Sequence, residues 1–98
     1  LHNRVFEWDE DKNDINLKKH GIRFEEAKTV FDDPDAFIGY DFNHSDNEDR
    51  FNIIGFCAGY KLLTVCHCYR DSGDVIRIIS ARKATTIEAR AYGGARYD

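Results

Sequence analysis

Residues 5–8 (VFEW) carry the short-period mix of apolar and polar positions expected of a brief strand. Asp9 then offers a side-chain oxygen for a helix N-terminus, and Glu10 and Asp11 suit its first turn. Residues 10–20 are polar almost all round, with Ile15 and Leu17 as the expected buried contacts. Lys18, Lys19 and His20 supply cations for the last turn, and Gly21 supplies the residue that ends it. Phe24, Ala27, Val30 and Phe31 form one apolar stripe, predicting a second helix over 24–32 that Pro34 stops.

After Pro34 the period changes to that of strands, expected at 36–42, 51–57, 61–69 and 75–81. Hairpin-length links containing glycine separate the last three of these. In the strand at 75–82, simple alternation puts Ile76, Ile78, Ser80 and Arg82 on one face and Val75, Arg77, Ile79 and Ala81 on the other. Residues 84–92 read as a last helix, with Thr85 and Glu88 spaced as a capping box. The expected order is β-α-α-β-β-β-β-α. The fold class is α+β, with an antiparallel sheet of four to five strands, two N-terminal helices and one C-terminal helix. A single domain spans 5–92, and 1–4 and 93–98 are expected to be flexible ends. The stretch 1–4 reads as a trimmed or appended start.

Ninety-eight residues suit one core, and seven Phe, five Tyr and one Trp are enough to fill it. No apolar run approaches the roughly 20 residues needed to cross a bilayer, and the first ten residues lack the apolar centre of a secretion signal. Cys57, Cys66 and Cys68 are odd in number and lie within strand segments. They read as small core hydrophobes in a reducing, cytoplasmic setting. Cys66, His67 and Cys68 would not converge on a metal, because strand geometry turns His67 away from both thiols.

Charge alters this picture. The net value of −4 hides two unlike halves: residues 1–49 hold six basic and fourteen acidic side chains, whereas 50–98 hold eight basic and four acidic. The balance of −8 against +4 either marks an anionic-partner surface or disappears when the halves interleave in three dimensions.

Neither a phosphate loop nor a zinc pattern is present, so candidate chemistry rests on single side chains. Arg70, Arg77 and Arg82 end or follow strands, where paired guanidinium donors could seat a phosphate. The alternative is that each is solvated or pairs with Asp71, Asp74 or Glu88. His20, His44 and His67 could exchange a proton near neutral pH. The plainer readings are a helix-end cation for His20, a turn residue bonded to Ser45 for His44, and a half-solvated strand residue for His67. Glu48, close to Arg50, reads as a surface pair.

Three segments together resemble a known family: FEWDEDKNDINLKKHGIRFEEAKTVFDDP, HSDNEDRFNIIG and LLTVCHCYRDSGDVIRIISARKATTIEARAY. Over residues 5–92 the chain is similar to the BrnT toxins of bacterial type II toxin–antitoxin systems. The KHGIRFEEA turn and the RIISARKAT…EARAY end are the most specific parts. The resemblance implies a RelE-like ribonuclease fold, and a toxin that cleaves RNA (mRNA, free or ribosome-bound) to inhibit translation. It also implies a DNA-binding, BrnA-like antitoxin partner. Carried onto this chain, it marks Lys19 and His20 in the Lys-His-Gly turn, Arg82 in Ser-x-Arg, Glu88 on the last helix and Arg70 at a strand end. His67 or His20 would carry the proton. No cofactor or metal is implied.

A pI near 5.5 departs from a typical RNA-attracting enzyme. It suits an acidic half that meets a basic antitoxin, or action on ribosome-bound message. The competing function is a non-catalytic, toxin-like interaction module or co-repressor. Direct DNA binding is disfavoured, because the two N-terminal helices carry net negative charge. Three helices cover one sheet face fully, so some of Phe51, Ile53, Leu62, Val65 and Ile79 are expected at a partner interface, or in a homodimer using the same surface.

Overall fold

Asp9 starts the first helix as its side chain predicts: Oδ1 accepts from the Asp11 and Lys12 amides at 2.8 and 3.2 Å. Capping of this kind is worth about 1 kcal/mol. The helix, α1 (Glu10–His20), ends where Gly21 adopts φ 73° and its N–H reaches Leu17 O at 2.8 Å. That left-handed conformation costs any other residue about 1–2 kcal/mol. The chain is described here by a computed structural model covering residues 4–97, with side chains as far as Gly94. Of the ends expected to be flexible, residues 1–3 and 98 lie outside the described residues.

Strand β1 (Val5–Glu7) precedes α1. The second helix is split into a short α2 (Phe24–Ala27) and a 3₁₀ segment (Lys28–Asp32), where one helix over 24–32 was expected. Thr29 Oγ1 donates back to Glu26 O at 2.7 Å and accepts from Ala58 N–H at 2.8 Å, so its hydroxyl competes with the helix ladder and ties the turn to the sheet. Strands β2 (Phe37–Tyr40), β3 (Phe51–Phe56), β4 (Leu62–Arg70) and β5 (Val75–Lys83) follow. Helix α3 (Thr86–Tyr97) closes the chain, starting two residues later than expected and running past Tyr92. The capping box forms: Glu88 Oε1 accepts from Thr85 N–H at 2.8 Å, and Thr85 Oγ1 accepts from Glu88 N–H at 3.2 Å.

The five strands form one sheet in the order β1-β5-β4-β3-β2. β2 to β5 make the expected antiparallel meander, but β1 pairs parallel with β5, so the sheet is mixed. The helical crossover after β1 carries the chain to the far edge, and the meander then returns to β1. A parallel pairing across some 70 residues leaves no local trace in the sequence.

One face of the sheet carries α1, α2 and the 3₁₀ segment. Ile22, Phe24, Val30 and Phe31 pack there on Ile53, Leu63, Val65, Ile76, Ile78 and Ala81. Ile53 and Val65, expected at a partner surface, are therefore core, with 4% and 0% exposure. Phe51, Leu62 and Ile79 are half-buried. Gly55 permits the close approach: a Cβ there would lie 2.7 Å from Ala36 Cβ and 3.1 Å from Val30 Cγ1. No helix among the described residues is long and apolar enough to cross a membrane.

The buried side of α1 differs from expectation. Ile15 is 61% exposed, while Asn13 and Asn16 are buried. β1 covers the outer edge of β5 only along Val75 to Arg77, leaving the edge open farther on. Asn16 fills this gap as a surrogate strand: Nδ2 donates to Ala81 O at 2.9 Å, and Oδ1 accepts from Ala81 N–H at 3.1 Å. Nδ2 also donates to Ile22 O at 2.9 Å, while Asn13 Oδ1 accepts from Phe24 N–H at 2.8 Å. Hydrophobic patterning cannot see amides that replace backbone partners. Asn16→Leu, near-equal in size, strands the Ala81 groups and should lower unfolding free energy by about 2–4 kcal/mol with unchanged denaturant slope. Ile15→Ala should change it by under about 0.5 kcal/mol. Urea unfolding of both variants checks the reversed ranking.

Candidate active site

The chemistry gathers on the sheet face away from α1 and α2, and an irregularity in β5 puts it there. Cys66 pairs with Ser80, but His67 pairs with Ile78, so Ile79 bulges out without a partner. The expected alternation along 75–82 therefore breaks. Ile76, Ile78 and Ala81 all face the helices, while Arg77, Ser80 and Arg82 share the opposite face. A one-residue bulge reverses the facing of everything beyond it.

On that face lies a cleft of about 380 Å³. Its floor is Asn52, Thr64, Cys66, Ser80 and Arg82; α3 contributes Glu88, and the loop 41–50 contributes Asp41, His44 and Arg50. A second hollow of about 220 Å³ continues over the loop and shares Asn43, His44 and Arg50.

Arg82 and Glu88 meet as a two-pronged pair: Nη1 donates to Oε1 at 2.7 Å and Nη2 to Oε2 at 3.0 Å. Glu88 Oε1 also accepts from Thr64 Oγ1 at 2.9 Å and from the Thr85 amide. These donors, Arg82 above all, hold the Glu88 carboxyl down to about 2 against an ordinary 4.5. Arg82 Nη1 further donates to Lys83 O at 3.3 Å. Of the five guanidinium hydrogens, the Nε hydrogen and one Nη2 hydrogen meet no acceptor among the described residues. These two lie on one edge of the group and form a second fork.

The loop 41–50 is held shut at its base. Asp41 N–H reaches Arg50 O at 2.8 Å, Ser45 Oγ donates to Asp41 O at 2.6 Å, and Ser45 Oγ accepts from Arg50 N–H at 2.9 Å. His44, expected to bond Ser45, instead places Nδ1 2.8 Å from Asp41 Oδ2. Burial would raise the Asp41 carboxyl, but the His44 hydrogen bond and the Asn43 amide outweigh it and hold the group below its ordinary value. Cys66 Sγ also points at Asp41 Oδ2, at 3.6 Å, and burial with this neighbour pushes its thiol up to about 12. Cys66 is thus a protonated donor, not a nucleophile.

Glu48 bridges two arginines, accepting from Arg70 Nη1 at 2.9 Å and from Arg50 Nε at 3.2 Å. On the same face Arg77 Nη1 reaches Glu7 Oε2 at 2.9 Å. Arg70, Arg77 and Arg82 therefore share a surface, each held by a carboxylate.

The remaining sequence candidates lie elsewhere. Lys19 and His20 end α1 on the opposite layer, and no hydrogen bond or ion pair among the described residues links them to Arg82 or Glu88. His67, expected to be half solvated, is 0% exposed on the helical face. Its ring lies edge-on to Phe31 at 4.9 Å, with Nδ1 3.0 Å from Val65 O and Nε2 3.1 Å from Tyr69 Oη. Burial lowers its pKa. Asp41, Arg50, Thr64 and Ser80 also line the cleft, although nothing in the sequence alone marks them as site residues. Their signal was cross-strand: Asn52, Thr64 or Cys66, and Ser80 or Arg82 are polar or small positions that line up once register is known.

No curated protein matches the chain. Among solved structures, the 1.1 Å crystal structure of the Brucella abortus ribonuclease toxin BrnT matches with a TM-score of 0.63 and 24% identity, covering 85% of this chain and 99% of that one. That likeness is one of fold. Residues 8–88 match the family described as "Ribonuclease toxin, BrnT, of type II toxin-antitoxin system". This span takes in α1, strands β2 to β5, the 41–50 loop and the Arg82–Glu88 pair, and the chain belongs to the BrnT family of ribonuclease toxins.

Proposed function

We propose that this chain is an endoribonuclease toxin with a RelE-like framework, cleaving RNA without a metal ion in the cytoplasm and thereby inhibiting translation. The observation that carries the proposal is Arg82, anchored by Glu88 along one edge and retaining a second donor fork in a polar cleft.

In the proposed reaction the 2′-hydroxyl of RNA attacks the adjacent phosphate. Negative charge builds on the non-bridging oxygens, and a preorganised guanidinium stabilises it without reorganising. Glu88 fixes the plane of that guanidinium. Arg50 supplies a second positive charge in the cleft, and Thr64 and Ser80 supply hydroxyls. Arg70, joined to Arg50 through Glu48, extends the basic track toward a neighbouring phosphate. In this scheme His67 is a packing group, and Lys19 and His20 lie outside the reacting centre.

The partner is an antitoxin, itself DNA-binding. Of the central-strand residues first expected at its surface, Ile53 and Val65 are core and Phe51, Leu62 and Ile79 are half-buried. The free edge of the sheet offers a surface: β2 ends the strand order, and Ile38, Tyr40 and Phe42 stand exposed along or beside it. Unpaired strand edges with apolar side chains invite another chain. Co-expression with the neighbouring gene should yield a stable complex that survives gel filtration; a chain that stays free beside that product counts against the antitoxin partnership.

Purified chain should cut single-stranded RNA in EDTA. A non-catalytic binding module would leave it intact. Arg82→Ala should reduce cleavage by roughly 10²–10³-fold, and Arg82→Lys, which keeps charge but loses the fork, should recover little. Transcript-end mapping and growth arrest in cells, with thermal melts as folding control, read the effect.

Glu88 generates a separate expectation about acid. Its carboxyl is lowered in the folded chain, so its ion pair stabilises fully above pH 4.5 and is lost as pH falls toward about 2. Glu88→Gln should cost on the order of 2 kcal/mol at neutral pH. The gap between the two proteins should close as pH falls through that window. Urea unfolding at a series of pH values follows both curves.

A further inference from the structure

The cleft contains a proton-handling group that the arginines do not account for. We infer that His44 is the proton carrier of this site and that Asp41 is its positioning residue; the inference rests on the ribonuclease reading and names the group that reading lacks.

Three observations converge. Asp41 is 6% exposed, and its Oδ2 lies 2.8 Å from His44 Nδ1. With Nδ1–H donating to Asp41 Oδ2, Nε2 of the neutral ring carries the free lone pair, so the buried carboxylate selects both tautomer and ring plane. The His44 side chain is 64% exposed and lines the same cleft as Arg82, Arg50 and Ser80. The loop that carries it is pinned at its base through Ser45, and Asp41 is further held by the Asn43 amide at 3.2 Å and the Cys66 thiol. An oriented imidazole open to solvent, sharing a cleft with a guanidinium that has free donors, is what proton transfer during phosphodiester cleavage requires. His67 lacks that access: both ring nitrogens are engaged inside the core.

The step balances with water alone. His44 Nε2 takes the 2′-hydroxyl proton as the 2′-oxygen bonds to phosphorus, and the phosphorus–O5′ bond breaks. The departing 5′-oxygen takes a proton from water, and the hydroxide so formed takes the proton from the imidazolium. The products are a 2′,3′-cyclic phosphate end and a 5′-hydroxyl end.

The test uses the full chain, a labelled mixed-sequence RNA and its all-2′-deoxy counterpart, which binds but cannot react. His44→Ala should cut single-turnover cleavage by about 10²-fold. It should bind the deoxy strand as the parent does and regain rate when free imidazole is added. Asp41→Asn should lose less, and the double variant should fall no further than His44→Ala, because Asp41 acts through His44. The exposure of His44 makes its removal benign for folding, and thermal melts verify this for both variants. Equal cleavage by parent and His44→Ala overturns the assignment and leaves the ribonuclease reading standing. Loss of deoxy-strand binding without imidazole rescue overturns it in favour of a binding role. A parent chain that leaves RNA uncut overturns both.

Discussion

Opposite Cys66 and His67, three consecutive residues of β5, Ile78 to Ser80, occupy the length of two, and Ile79 goes unpaired. Without this extra residue the strand could not satisfy both sides of the sheet. Ile76 and Ile78 must face the helices at one end, and Ala81 must do so at the other. Strict alternation would send Arg82 into the core whenever Ile76 and Ile78 were buried there. An unpaired guanidinium in that core would cost several kcal/mol, far more than one unpaired backbone site at a bulge. The bulge therefore follows from burial, and its consequence is chemical: Arg77, Ser80 and Arg82 emerge together, facing Thr64, Cys66 and the 41–50 loop. The extra twist that accompanies a bulge also suits the hand-over from β1 to Asn16 along the outer edge of β5.

Elements whose cause is local were legible in the sequence. The Asp9 cap, the Gly21 terminus, the Thr85–Glu88 box and the meander from β2 to β5 depend on neighbours a few residues away. What escaped depends on distant partners. The pairing of β1 with β5, the burial of Asn16 against Ala81 and the bulge at Ile79 are settled by residues some 65 to 70 positions apart or by competing demands of two faces. The same holds for the site. Arg82 and Glu88 were marked as single residues, but their union was one option among several. Asp41 and Arg50 gain meaning only when the loop closes over β4.

The uneven charge of the two halves resolves the same way. Acids from the first half sit on bases of the second: Glu7 on Arg77, Glu48 on Arg50 and Arg70, Glu26 on Lys61. The cleft face is consequently rich in arginine without being a strongly positive patch. A face of this kind gives little long-range attraction for nucleic acid, which depends on uncompensated charge. In the proposed reaction it would still grip a phosphate already delivered, because a carboxylate-anchored guanidinium keeps donors in a fixed direction. Low free-RNA affinity and a competent site are compatible in one molecule.

The division of β4 into two faces explains why the proton carrier belongs to a loop. His67 and Cys66 are adjacent, yet one packs edge-on against Phe31 and the other donates to Asp41. The helical face closes over His67 completely, and that burial lowers the basicity of its ring. An imidazole there resists the charge that proton transfer would place on it. The opposite face opens into the cleft, but beside Arg82 its strands present Asn52, Thr64, Cys66 and Ser80, whose side chains can hydrogen-bond but do not ionise near neutral pH. A titratable ring with solvent access must therefore reach in from outside the sheet. The ten-residue connection between β2 and β3 supplies one, and the buried Asp41 at its root turns a mobile surface histidine into an oriented one.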